Sequence, residues 1–212
     1  MGQFKLFLTE KKDPTSTTFH AFDLDDTLVH HNSQHLQIHV VNPQGQRVQS
    51  LTTKQLIGHK LPAGHKYDYT EFASSNRFRQ SATPIKGMVQ KLKAIHKNNK
   101  NVEIITGRKD FDDQPQFAKQ MRNHGVDIDQ IHVRRAGNLP MSTPDAKAHI
   151  ISRLINKEGY KKVHLYDDAS ENLTRFLQLK KDHPDVEFHA HHVQHDPETD
   201  TDRKSTRLNS SH

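Results

Sequence analysis

The chain has 212 residues, with 31 Lys and Arg against 25 Asp and Glu, for a formal net charge of +6. That length suits one ordinary domain with a small insertion and leaves little room for two full ones. The absence of cysteine excludes disulfides, thiolate zinc sites and cysteine nucleophiles, and no apolar run approaches the roughly 20 residues of a membrane-crossing helix. No basic-then-apolar leader opens the sequence, so a cytoplasmic protein is expected. Hydrophobic residues make up only 32% of the chain, yet they fall in compact runs that short buried strands can use, which argues against wholesale disorder.

Residues 19–22, Phe-His-Ala-Phe, form such a run and end abruptly in acids, the pattern of a buried strand. Residues 36–41 and 47–52 predict two strands of a hairpin around the turn cluster Asn42-Pro43-Gln44-Gly45. Pro84 opens a predicted helix whose Ile85, Met88, Val89, Leu92 and Ile95 recur at three- and four-residue spacing. Residues 102–105 are a second buried strand, 114–123 a helix before Gly125, and 128–133 a third strand. A helix over 145–157 turns Ile150, Ile151, Leu154 and Ile155 inward. Residues 163–166 are the fourth strand, 173–180 a helix and 186–189 a last strand. Strands separated by ten- to fifteen-residue helices imply right-handed crossovers and a mostly parallel sheet. The expected fold is a doubly wound, Rossmann-like α/β domain over residues 1–193.

Two segments stand outside that alternation. Residues 29–83 separate the first strand from its crossover helix and are too long for a plain loop, so they predict an inserted cap or flap. Residues 194–212 are polar and aperiodic and predict a disordered tail; residues 204–212 resemble translated sequencing-adaptor read-through. The tail holds Asp196, Glu198, Asp200 and Asp202 against Arg203, Lys204 and Arg207, which leaves +7 on the rest of the chain. That balance suits a polyanionic partner as well as it suits an ordinary basic surface. The 18 histidines are scattered, and His189, His191 and His192 in one strand-like run read as packing rather than metal ligands.

In a parallel sheet, ligands bind beyond the carboxyl ends of the strands. The first strand here runs into Asp23-Leu24-Asp25-Asp26-Thr27, the second into Thr106-Gly107-Arg108 and the fourth into Asp167-Asp168. Acids at the end of one strand are ordinary caps. Where the first and fourth strands converge beside the Thr106-Gly107-Arg108 end of the second, acids crowd, and a divalent cation among them relieves the repulsion; hard oxygen donors without cysteine favour Mg²⁺.

These residues carry a resemblance. Phe22-Asp23-Leu24-Asp25-Asp26-Thr27-Leu28 resembles the first signature of the haloacid dehalogenase-like superfamily of phosphotransferases. Ile104-Ile105-Thr106-Gly107-Arg108 is similar to the second, Lys147 at a helix start to the third, and Leu165-Tyr166-Asp167-Asp168 to the fourth. Order and spacing match across residues 19–193. The resemblance implies a Mg²⁺-dependent phosphatase that passes through an aspartyl-phosphate. On it, Asp23 is the nucleophile, and Asp25 protonates the leaving oxygen and then deprotonates the attacking water. Asp26 and Thr27 stabilise the turn that aims Asp25. Thr106 and the backbone at Gly107 hold phosphate oxygens, Lys147 neutralises the transferring phosphoryl group, and Arg108 either grips a second phosphate or points outward. Mg²⁺ is expected on the Asp23 side chain, the Asp25 backbone carbonyl and a carboxylate of the fourth motif. Asp168 aligns with the direct ligand. Asp167 replaces the usual glycine, in a double-Asp form similar to that of polynucleotide 3′-phosphatases, and Asn172 is placed to orient the metal's waters.

The insertion adds a basic and aromatic stretch: Lys60, His65, Lys66, Tyr67, Tyr69, Phe72, Arg77, Phe78 and Arg79. Rings interleaved with bases suit stacking and phosphate contacts to a nucleic-acid end or nucleotide, or else form the insertion's own small core. The leading expectation is a phosphomonoesterase acting on such an end or on a nucleotide. A phosphotransferase or mutase on a small metabolite, and a non-catalytic nucleic-acid-binding module, stand as alternatives.

Overall fold

The computed structural model describes residues 15–32, 34–56, 58–196 and 201–209. β1 (Thr18–Phe22) is followed by the insertion: β2 (Val29–His31), β3 (Ile38–Val41), β4 (Arg47–Leu51), the single turn α1 (Thr53–Leu56), β5 (Lys66–Asp68), α2 (Ser75–Ser81) and β6 (Ala82–Pro84). The regular alternation resumes with α3 (Lys86–Asn98), β7 (Val102–Thr106), α4 (Gln114–Asn123), β8 (His132–Arg135), α5 (Thr143–Glu158), β9 (Lys162–Asp167) and α6 (Ser170–Leu177). β10 (Glu187–Asp196) and β11 (Thr201–Asn209) close the described chain.

The main sheet has the order β11-β10-β9-β1-β7-β8, and the five strands from β10 to β8 are parallel. From β1 the chain winds outward through β7 to β8, then returns to β9 on the other side of β1 and continues to β10. The direction of winding therefore reverses between β1 and β9, which opens a crevice at their carboxyl ends. Period-two alternation in β1 divides the core. Phe22 joins Met88, Val89 and Leu92 of α3 and Phe117 and Met121 of α4. Phe19 and Ala21 face Ile151, Leu154 and Ile155 of α5 and Leu173 and Phe176 of α6. Helices thus cover both faces.

Several boundaries differ from the sequence reading. Pro84 ends β6 rather than opening α3, whose N-cap is Ile85. The third parallel strand begins at His132, because Ile128 and Ile131 are buried from the loop before it. The expected disordered tail is corrected in part. β10 continues through Asp196, and residues 201–209 pair antiparallel along it, giving the edge strand's open N–H and C=O groups a partner. Residues 197–200 and 210–212 of that tail lie outside the described residues.

The insertion is not a free-standing flap over 29–83. β2 and β6 pair antiparallel and close its base, while β4-β3-β5 form a separate three-stranded sheet. α2 belongs to the main core: Phe78 is fully buried against Phe111 and Phe117, at ring distances of 5.4 and 5.2 Å. Ser75 at its start bonds Asp112 and the Asp113 carbonyl, each at 2.7 Å.

Candidate active site

β1 and β9 are hydrogen-bonded neighbours, and the Asp23 N–H donates to the Tyr166 carbonyl at 2.8 Å just past the end of β1. Register therefore delivers Asp23 beside Asp167 and Asp168. Lys147 reaches the same point from α5, whose start is capped by Ser142. Its ammonium, 2% exposed, lies 2.7 Å from Asp23 Oδ1 and 2.6 Å from Asp167 Oδ2. The contact to Asp167 is a hydrogen bond, whereas Asp23 Oδ1 has no well-aligned hydrogen bond and meets the lysine as a charge. Asp167 is fully satisfied: its Oδ1 also accepts from the Ala169 N–H at 3.0 Å and the Asn172 amide at 2.8 Å. Asn172 thus gives an amide hydrogen to Asp167, and the residue also lines the cleft.

The carboxylates feel one another. Burial raises the Asp23 pKa, and Asp167 and Asp25 add to that, while Lys147 pulls it back without cancelling it. Asp168 is raised too, first by burial and then by Asp23, Asp167 and Asp26. Desolvation by itself would lower Lys147, but the two carboxylates outweigh it and keep the ammonium charged.

Asp25 points elsewhere. Arg108 Nε lies 3.0 and 2.9 Å from its two oxygens, Nη2 lies 2.7 Å from Oδ1, and His31 Nε2 is 2.7 Å from the same Oδ1. Burial opposes ionisation there, yet Arg108 and His31 override it and hold the carboxyl well below the usual range. That hold favours the carboxylate form of Asp25. Asp26 adopts φ 53° and donates its N–H to the Val29 carbonyl at 2.7 Å, which makes the sharp turn between Asp23 and β2.

Arg108 does not point outward. It is 3% exposed, turned inward onto Asp25, with Nη1 donating to the Phe72 carbonyl at 2.7 Å and the rings of Phe72 and Phe78 at 4.8 and 5.3 Å. Its Nε, Nη1 and Nη2 each meet a protein oxygen, and the residue also borders the cleft. Thr106, expected to hold phosphate, is fully covered, and its hydroxyl accepts from the Arg108 N–H at 3.1 Å. The loop presents Gly107 to the cleft instead.

Sequence reasoning passed over three contributors. His31 carried no spacing signal. Gly137 is required by close approach, since a Cβ there would fall 2.3 Å from the Gly107 carbonyl oxygen. His192 donates Nε2–H to the Asp168 carbonyl at 2.8 Å, whereas His189 and His191 stack on His164 at 4.6 and 5.3 Å.

An open cleft of about 2120 Å³ runs from Asp23, Asp168 and Lys147 to the insertion's sheet, where Arg47, Lys66, Tyr67 and Tyr69 line it. The basic and aromatic stretch is accordingly divided. Phe78 is core, Arg77 lies 3.5 Å from Glu71 and Arg79 bonds Asn76, while Lys66, Tyr67, Tyr69 and Phe72 reach the cleft.

No family model, curated protein or solved structure matches this chain.

The donor set itself bears on a metal. Asp23, Asp167 and Asp168 bring one oxygen each within 4.8 Å of the others. When all three are ionised they outnumber the one ammonium by two charges, which a divalent ion bound to hard oxygens would neutralise. Asp23 and Asp168 fit as ligands, Asp167 as the residue that fixes Lys147 and Asn172 around them. The Asp25 side chain, held by Arg108, lies outside this group.

Proposed function

We propose that the chain is a Mg²⁺-dependent phosphomonoesterase acting through an aspartyl-phosphate on Asp23, with a nucleic-acid end or nucleotide as its substrate. The observation that carries this reading is Lys147 set between Asp23 and Asp167, with Asp168 alongside, at the reversal of winding in a parallel sheet. The order of the resembling motifs supports it. Asp23 attacks phosphorus, forming a P–O bond to its carboxylate as the bond to the leaving oxygen breaks. Lys147, kept charged by its two carboxylates, opposes the negative charge spread over the phosphoryl oxygens. Asp23 and Asp168 would hold Mg²⁺, which would supply the positive charge that lets a phosphate approach so acidic a site. Asp25 takes the proton of the water that hydrolyses the acyl phosphate; to protonate the leaving oxygen it must first acquire a proton against the pull of Arg108. Thr106 supports the Gly107 loop from beneath.

The substrate class rests on the size of the cleft and on the cations and rings along it, Arg47, Lys66, Tyr67 and Tyr69, which suit a phosphate chain and a base better than a compact sugar phosphate. Purified protein with Mg²⁺ should release phosphate from 3′- or 5′-phosphorylated oligonucleotides or from nucleotides faster than from sugar phosphates. Sugar phosphates as the best substrates would reject the substrate class; no release from any of them would reject the activity.

A further inference from the structure

We propose that His31 and Arg108 are positioning residues that leave Asp25 Oδ2 as the atom through which protons move, and that they tie its aim to the base of the insertion. This rests on the phosphomonoesterase reading above. The two oxygens of Asp25 are unequal. Oδ1 meets Arg108 Nε and Nη2 and His31 Nε2, at 3.0, 2.7 and 2.7 Å; Oδ2 meets Arg108 Nε alone, at 2.9 Å. Asp25 lines the cleft together with Asp23, so the less occupied oxygen is the one able to exchange a proton with substrate or water.

The imidazole is held as firmly as the carboxylate it steadies. Its side chain is 6% exposed, its Nδ1 is 2.8 Å from Ser81 Oγ, and its ring meets Phe78 edge-on at 5.6 Å. Nε2 also lies 3.0 Å from Arg108 Nη2, but one nitrogen cannot donate to Asp25 and accept from Arg108 together. Because a carboxylate only accepts, Nε2 carries the hydrogen, while Nδ1 is held against the Ser81 hydroxyl. His31 stands in β2 and Ser81 at the end of α2, immediately before β6, so the paired strands at the insertion's base fix the ring. Arg108 adds the Phe72 carbonyl to the same bracket. The aim of Asp25 thus depends on how the insertion is seated.

His31→Ala, His31→Gln and Ser81→Ala should be compared on an alkyl phosphate, whose leaving oxygen needs a proton, and on p-nitrophenyl phosphate, whose leaving group does not. For His31→Ala, the loss of aim should outweigh the weaker hold on the ionised form, so kcat/KM on the alkyl ester should fall about tenfold or more, a fraction of what general acid catalysis supplies, with KM almost unchanged and p-nitrophenyl phosphate affected no more than about twofold; a gain on the alkyl ester would overturn the proposal. Glutamine, which can still donate to Asp25, should restore part of the loss. Ser81→Ala keeps the imidazole and should show the same asymmetry at smaller size, so it carries the test should the alanine variant fold poorly. Equal losses on both esters, or none on either, in a chain whose wild type is active overturn this proposal alone. A wild type inert on both esters overturns it together with the reading on which it rests.

Discussion

Lys147 Nζ lies 2.7 Å from Asp23 Oδ1, and neither side chain is more than 8% exposed. The lysine already donates to Asp167, so Asp23 keeps a buried oxygen without an aligned hydrogen bond. That is a poor arrangement for stability and a suitable one for a nucleophile, because little has to be broken before the oxygen attacks.

Asp23→Asn should leave the fold intact and abolish turnover. The amide is nearly isosteric, and the loss of a covalent nucleophile costs several orders of magnitude in rate. Retention of more than about a tenth of wild-type phosphate release, measured with the circular dichroism spectrum unchanged, would remove Asp23 from that role.

Asp167 and Asp168 should part company on mutation. Asp167→Ala strips Lys147, Asn172 and the Ala169 N–H of a buried acceptor, and breaking a buried pair of this kind costs about 3–5 kcal/mol. Asp168→Ala should cost far less stability but abolish the rise in melting temperature that Mg²⁺ gives the wild type. Urea melts with and without Mg²⁺ check both; the opposite ranking would show that the two residues have exchanged roles.

Stability in EDTA should fall as pH rises. Asp23 and Asp168 are raised from 3.8 to about 7 and about 9, so between those limits the folded chain holds protons that the unfolded chain has already lost. The contribution of a raised carboxyl is fully present below about pH 4 and is lost as pH passes its folded value. Asp168→Asn should therefore gain stability relative to wild type between pH 7 and 9, and Mg²⁺ should flatten the wild-type slope. A wild-type chain that gains on the variant as pH rises would contradict this environment for Asp168.

The aromatic stretch should divide by function. Phe78→Ala should cost about 3–5 kcal/mol, the range for a large ring removed from a core. Tyr69→Ala, at a residue 47% exposed on the cleft, should leave the melting temperature within a few degrees and raise KM for an oligonucleotide, with little effect on p-nitrophenyl phosphate. Equal KM changes on the two substrates would remove Tyr69 from nucleic-acid or nucleotide binding.

Local pattern alone determined the alternating α/β architecture, because each parallel strand is a short apolar run and each helix keeps an apolar face. It also placed Asp23, Lys147, Asp167 and Asp168 at strand and helix ends, and the fold brings such ends to one edge. What it left open depended on contacts between distant segments. Only the tertiary structure turned Arg108 inward, since its partners Asp25, His31 and Phe72 lie far from it in sequence and meet only when the insertion closes on the sheet. The same closure buried Phe78 and left Tyr69 exposed, although both rings stand in one unbroken polar stretch. The surroundings of Asp167 and Asp168 were set likewise. The adjacent carboxylates are alike in sequence, but the last strand position points one of them into Lys147 and Asn172 and leaves the other on the cleft.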